Sequence, residues 1–104
     1  MKLSINFTKN NGLVPVIIQD YKTRDIYMLG YMNEKTLQKT IETGWVYFWS
    51  RSRRKVWMKG EESGNKLKVK EVYSDCDEDS ILVKVELIGT HVCHTGSKSC
   101  FMQC

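Results

Sequence analysis

Apolar and polar positions divide the chain into short segments of differing period. Residues 13–19 (LVPVIIQ) are almost continuously apolar and read as a strand. Pro15 places that strand at an edge or a bulge, because proline brings no N–H to a ladder. The polar run Asp20 to Asp25 reads as a turn, and Ile26 to Met32 as a second strand completing a hairpin. Asn33 is a helix N-cap, with Glu34 favoured in the first turn by the helix dipole. Leu37 and Ile41 stand four apart on one helical face, and Gly44 ends the helix. Residues 45–49 (WVYFW) form an aromatic strand. Ser50 to Asn65 is polar, basic and broken by Gly60 and Gly64, so it reads as a long loop with a short strand near Val56 to Met58. Leu67, Val69 and Val72 mark a strand whose broken alternation predicts a bulge. Ile81 to Ile88 reads as a largely buried strand, and the tail from Gly89 to Cys104 as irregular. The sum is an α+β fold, β-rich, with one short helix, as a single domain over residues 1–104.

Composition narrows the function classes. With 41% hydrophobic and 27% charged residues, the 104-residue chain suits one folded domain with a modest core. The longest apolar run, Leu13 to Ile18, is too short to span a bilayer, so no membrane association is expected. Asn6, Thr8, Lys9 and Asn10 interrupt any leader-like stretch, and no signal peptide is expected. The four cysteines, Cys76, Cys93, Cys100 and Cys104, are then expected in a reducing, cytoplasmic setting, kept for metal or catalysis. Sixteen basic against twelve acidic residues leave a net charge of +4. That surplus is too small to indicate nucleic acid and suits a small anionic ligand such as a phosphate ester.

Asp75-Cys76-Asp77-Glu78-Asp79 carries the strongest local chemistry. In an extended chain the three aspartates line one face and Cys76 the other. Three carboxylates so placed repel unless a cation sits among them, and hard oxygen donors suit Mg²⁺ or Ca²⁺. Cys76 is a soft donor free for a different metal. A solvated acidic turn is the plain alternative. An EF-hand loop fits the aspartate spacing and Glu86 but needs glycine where Ser80 stands.

The tail holds Cys93-His94-Thr95-Gly96-Ser97-Lys98-Ser99-Cys100. Two cysteines seven apart across a Gly/Ser turn can converge on one ion, and Cys76 brings the thiolates to three. Zn²⁺ takes four ligands, and three protein ligands with one open position is the catalytic arrangement, in which a bound water turns acidic near pH ~7. His94 can close the site or stand beside it as a general base. A Cys93–Cys100 disulfide and a structural zinc closed by histidine are the competing readings. Cys104 is a bystander, and His91 reads as ordinary surface or strand chemistry. The run Trp49 to Gly60 interleaves aromatics with Arg51, Arg53, Arg54, Lys55 and Lys59, which can hold phosphate. The same mixture describes a single-stranded nucleic-acid groove or a solvated hairpin with inward tryptophans.

These blocks taken together resemble the phosphoribosyl-AMP cyclohydrolase family of histidine biosynthesis. The matching runs are Gly12-Leu13-Val14-Pro15 with Gln19-Asp20, and Met28-Leu29-Gly30-Tyr31-Met32-Asn33. Further on come Glu42-Thr43-Gly44, Trp49-Ser50-Arg51-Ser52-Arg53 and Trp57-Met58-Lys59-Gly60-Glu61-Glu62-Ser63-Gly64. Asp75 to Asp79 and Cys93-His94-Thr95-Gly96 with Ser99-Cys100-Phe101 complete them. The resemblance implies an intertwined homodimer. It implies Mg²⁺ on Asp75, Asp77 and Asp79, and Zn²⁺ on Cys93 and Cys100 with Cys76 from the partner subunit. The implied reaction, the third step of the pathway, is hydrolytic opening of the adenine ring of phosphoribosyl-AMP between N1 and C6. Ribosylation at N1 makes C6 electrophilic, and zinc supplies the activated water. In this scheme His94, by its adjacency, is the candidate proton shuttle, Arg51, Arg53 and Lys59 neutralise phosphate, and Trp49 stacks on the purine. The family usually has histidine and glutamine where Asn65 and Leu67 stand, and if that histidine serves substrate binding or proton transfer, slower turnover or reliance on His94 alone is expected. The pyrophosphohydrolase domain often fused behind the family's domain is not in this sequence, and the preceding step is expected of a separate protein.

Overall fold

The computed structural model describes residues 5–104. A 3₁₀ turn, Phe7–Asn10, leads into strand β1 (Val14–Asp20) and its hairpin partner β2 (Ile26–Met32). Helix α1 (Glu34–Thr43), a second hairpin of β3 (Tyr47–Ser50) and β4 (Lys55–Met58), then β5 (Lys66–Ser74) and β6 (Ile81–Ile88) follow. The larger sheet has the order β2-β1-β6-β5, with β1 and β6 parallel and the outer pairs antiparallel. This is a β-rich α+β fold. No helix among the described residues is long and apolar enough to cross a membrane.

β1 is an inner strand, which corrects the edge placement drawn from Pro15. Its ladder with β6 begins only at Val16, while Pro15 faces Tyr31 of β2 alone. The missing N–H therefore falls where only one neighbour is present. β1 does carry an irregularity, but between Ile18 and Gln19 rather than at the proline. The bulge expected in β5 lies between Val69 and Glu71.

The core is laid down by one face of the large sheet. Val14, Val16 and Ile18 of β1 and Ile81, Val83 and Val85 of β6 are buried together with Tyr27, Met32, Leu67 and Phe48. Gly30 lets β2 approach the second hairpin: a Cβ there would lie 2.6 Å from the Phe48 ring. The opposite face carries the cross-strand row Leu29–Ile17–Leu82–Tyr73. Leu29, Ile17 and Tyr73 are 45%, 40% and 37% exposed, an apolar stripe without cover in one chain.

Helix α1 starts as expected. Asn33 Oδ1 accepts from Thr36 N at 2.9 Å, and Asn33 N donates to Thr36 Oγ1 at 2.9 Å, a reciprocal cap. Gly44 ends it in a left-handed conformation, φ 79°. The buried face is not the expected one. Leu37 is buried but Ile41 is exposed, and Thr36 and Thr40 take the inner positions. Burying two hydroxyls is tolerable because both are bonded. Thr40 Oγ1 donates to Thr36 O at 2.7 Å and accepts from Tyr47 N at 3.0 Å, tying the helix to β3. The aromatic strand begins at Tyr47, two residues late. Trp45 makes only a lone bridge to Lys68, which hangs the second hairpin on the edge of β5.

Tyr27 is buried, and its hydroxyl donates to Asp20 Oδ2 at 2.7 Å. Burial opposes the Asp20 charge, but the Tyr27 hydroxyl and the N–H groups of Thr23 and Lys22 outweigh it and hold the carboxyl below its ordinary range. A lowered carboxyl contributes stability that is present above its unfolded value near ~3.9 and fades as pH falls through the folded one. Tyr27→Phe is expected to cost about 1.5–3 kcal/mol in urea titrations at pH 7 and to flatten the decline below pH ~4. Gly30→Ala is expected to cost about 1–3 kcal/mol by the same measurement, and equal stability to the parent would contradict the close packing of β2 on Phe48.

Candidate active site

The acidic segment is a turn, not an extended strand. Asp75 N donates to Ser80 O, Glu78 N to Asp75 O at 3.1 Å, and Asp79 N to Asp75 Oδ1 at 3.0 Å, with Glu78 left-handed at φ 60°. Folding back, rather than strand alternation, brings Asp75, Asp77 and Asp79 together, with a carboxylate oxygen from each within 4.8 Å of the others. The Ser80 hydroxyl, followed by the Asp79 N–H, holds the Asp75 carboxyl well below the usual range. A lysine already attends the cluster. Lys9 Nζ donates to Asp77 O at 2.7 Å and lies 3.7 Å from Asp79 Oδ2. Asn6 N donates to Glu78 O at 2.6 Å, so the segment before β1 is clipped to this turn. Clustered hard oxygens that recruit a lysine ammonium suit a small divalent cation.

Cys93 and Cys100 face each other across an irregular loop. The loop closes on itself through Cys93 N to Ser97 O (3.1 Å) and Gly96 N to Cys93 O (3.0 Å). It is fastened to β2 by Cys100 N to Tyr27 O at 2.7 Å and by the Ser99 hydroxyl to Ile26 O at 2.6 Å. All four cysteines are free thiols, and the disulfide reading is not realised. The two facing thiols are unequal. The Thr95 hydroxyl, 3.1 Å from Cys93 Sγ, and the Thr95 N–H lower Cys93, while burial and the neighbouring Cys93 raise Cys100. The Lys59 charge favours thiolate at both positions. Such a pair suits a soft cation, whose thiol ligands must be deprotonated.

Cys76 does not join them within one chain. Among the described residues, the aspartates form the one group of three His, Cys, Asp or Glu donors gathered within 4.8 Å. Topology explains the separation. Cys100 docks on β2, one edge of the sheet, whereas Cys76 sits in the turn joining β5 and β6 at the other edge. Two to three strand spacings are about 10–14 Å across.

His94 Nδ1 lies 4.0 Å from Cys93 Sγ, exposed beside the thiol pair. His91 is more than surface chemistry. Its Nε2 lies 3.3 Å from Asn65 Nδ2 and its Nδ1 lies 2.8 Å from Thr90 Oγ1, while Asn65 Oδ1 accepts from Thr90 N at 3.0 Å. Asn65 is buried, and a Cβ on Gly89 or Gly60 would strike it. The amide thus pins the end of β6, from which the Cys93 loop departs, to the start of β5. Leu67 is a core residue.

The basic run folds as the β3–β4 hairpin and splits into two cavities. Trp49 and Arg51 line one of about 500 Å³ with Asn11, Gly12, Leu13, Asn33 and Arg54. Arg53 and Lys59 line another of about 190 Å³ with Trp57, Glu61 and Glu62. The Arg51 guanidinium lies 3.8 Å over the Tyr31 ring. The sequence placed Arg51, Arg53, Arg54, Lys55 and Lys59 in one phosphate-holding run and gave no sign of Asn11, Lys9 or the second use of Asn33. No periodicity distinguishes which cations share a cavity once the chain turns.

A family model described as phosphoribosyl-AMP cyclohydrolase matches residues 28–102. The chain belongs to the phosphoribosyl-AMP cyclohydrolase family. A cyclohydrolase of Solibacter usitatus is 52% identical over 101 residues, 97% of this chain and 80% of its own length. One of Pelobacter propionicus is 54% identical over 99 residues, 95% of this chain and 79% of its own. One of Clostridium botulinum is 54% identical over 97 residues, 93% of this chain and 88% of its own. The protein is a cyclohydrolase, a hydrolase of histidine biosynthesis acting on a small-molecule substrate. The matched span runs from β2 through the β3–β4 hairpin to the cysteine loop, so it takes in the aspartate turn, the thiol pair and the cavity of Arg53 and Lys59. In this cyclohydrolase Asn65 is a structural support for the thiol loop. Asn65→Ala is expected to lose about 1–3 kcal/mol of unfolding free energy, while Asn65→Asp, which keeps the acceptor for Thr90 N–H, loses less. Equal losses for the two would remove that hydrogen bond as the cause.

Proposed function

We propose that this single-domain chain opens the adenine ring of phosphoribosyl-AMP as a cytoplasmic homodimer in which Cys93 and Cys100 of one subunit share Zn²⁺ with Cys76 of the other. The observation that carries this reading is the loop that turns Cys93 and Cys100 toward one another while Cys76 of the same chain lies at the far edge of the sheet, leaving two sulfurs suited to a soft cation and short of a third. The uncovered row Leu29–Ile17–Leu82–Tyr73 supports a second copy, since an apolar stripe across four strands is costly in water. Zn²⁺ with one open coordination position lowers the pKa of a water there to about 7. Asp75, Asp77 and Asp79 would hold Mg²⁺ where the Lys9 ammonium now lies 3.7 Å from Asp79 Oδ2.

The chain's own groups do the rest. His94, beside Cys93, takes the proton as water oxygen bonds to C6 and returns one to N1 as the N1–C6 bond breaks. Arg51, Arg53 and Lys59 neutralise the two phosphates of the substrate, and Trp49 packs on the purine.

Subunit complementation tests the shared centre. Cys76→Ser and Cys93→Ser proteins are each expected to be inactive and zinc-poor. After subunit exchange by mild denaturation and refolding, half the dimers are mixed and each mixed dimer holds one intact centre. Ring-opening activity, followed by ultraviolet absorbance, should then recover to about a quarter of the parent's. Inactivity of the exchanged mixture, with mixed dimers confirmed by mass, would eliminate a centre built across subunits.

A further inference from the structure

The cavities differ in charge balance in a way that separates their ligands. The cavity containing Lys22 and Lys98 also contains Asp20 and Glu86. The one containing Arg53 and Lys59 contains Glu61 and Glu62. The cleft between the 3₁₀ turn and the β3–β4 hairpin is lined by Arg51 and Arg54 with no carboxylate. Among the described residues neither arginine belongs to an ion pair, the only such pairs being Lys9–Asp79 and Lys70–Glu86. Two uncompensated guanidinium groups over one cavity repel each other unless an anion stands between them. Each offers a planar fork of N–H donors that matches phosphate.

The remaining lining fits the rest of a nucleotide. The Trp49 indole provides an apolar plane in the same cleft, and Asn11 and Asn33 bring amides at its rim. Asn33 Oδ1 is engaged by Thr36 N, which leaves its NH₂ free to donate. Arg51 is held in place by stacking over Tyr31, with its donor edge open. At about 500 Å³ the cleft lies within the roughly 300–1,000 Å³ of small-molecule sites. It shares no lining residue with the cavity of Lys59, whose charge acts on Cys93 and Cys100.

We infer that the Arg51/Arg54 cleft binds the AMP half of the substrate, with its 5′-phosphate between the two guanidinium groups and its purine against Trp49. This rests on the proposed ring-opening reaction for the direction of the substrate. The phosphate held here is the one on the N9 ribose, remote from the N1–C6 bond. The N1 arm is then left for Arg53 and Lys59, beside the thiol pair. Arg54 thereby becomes a specificity residue, although it lies outside the blocks that carry the family resemblance.

Calorimetric binding of AMP, ribose 5-phosphate and adenosine to the intact protein tests the assignment without requiring turnover. Arg54 has φ 55°, so glycine removes its side chain without strain, and Arg54→Gly is the variant of choice. Lys68→Ala, exposed on β5, controls for the loss of one positive charge. The parent should bind AMP at least about tenfold more tightly than adenosine. Arg54→Gly should lose about tenfold for AMP and ribose 5-phosphate and nothing for adenosine, and Lys68→Ala should stay within about twofold of the parent. AMP binding by Arg54→Gly at parental strength, or an equal loss in Lys68→Ala, overturns the assignment. A parent that fails to open phosphoribosyl-AMP yet shows this pattern would refute the proposed reaction and leave the nucleotide cleft standing.

Discussion

The thiol pair depends on a hydrogen bond from the Cys100 N–H to the Tyr27 carbonyl. Cys93 to Cys100 contains no regular secondary structure, so its shape cannot come from a ladder of its own. It is borrowed from β2, through Cys100 N and the Ser99 hydroxyl, both landing on the carbonyls of Ile26 and Tyr27. Tyr27 can serve as that anchor because its ring is in the core and its hydroxyl is bonded to Asp20. Burial and the Asp20 carboxylate together push the Tyr27 hydroxyl well above its ordinary range, so the bond persists across the working pH range. At the other end of the loop, Asn65 and His91 hold the chain as it leaves β6. Irregular backbone is thus positioned from both sides by polar contacts to the sheet, as geometry for metal or substrate requires.

Charge is distributed over the surface in separate compartments. The aspartate turn has Lys9, the Arg53 cavity has two glutamates, and the Arg51/Arg54 cleft has no compensating acid. A net charge of +4 is therefore a weak description of this protein. What matters to a phosphorylated ligand is where positive charge is left without a partner. The mild surplus is concentrated at the Arg51/Arg54 cleft, which no acid compensates.

The elements were legible where one local rule decided them. Asn33 and Gly44 bracket the helix as cap chemistry dictates, and the bulge in β5 shows in its broken alternation. Pro15 misled because proline reports a missing donor, not a missing strand, and β6 happens to start one residue later. Ile41 misled because a threonine whose hydroxyl bonds to backbone can be buried as readily as an aliphatic residue, and two of them displaced it. The aspartates were correctly grouped for a mistaken reason, since a turn and not a pleat gathers them. The division of cations between cavities was not legible at all. It depends on how the β3–β4 turn at Arg51 to Arg54 rotates consecutive side chains, and spacing along the chain carries no record of that.

Asn65 sits at a polar knot between the start of β5 and the end of β6. The position is closed in by Gly60 and Gly89, where a Cβ would stand 2.3 and 2.2 Å from Asn65 oxygens. An amide fills that space and satisfies Thr90 N–H with one end. Its other end meets a ring nitrogen of His91, which arrives from the end of β6. A polar knot of this kind tolerates substitution only in pairs, because either member alone leaves a buried amide or N–H unsatisfied. The thiol loop therefore inherits its position from a two-residue arrangement, and Asn65 and His91 are best understood as one unit.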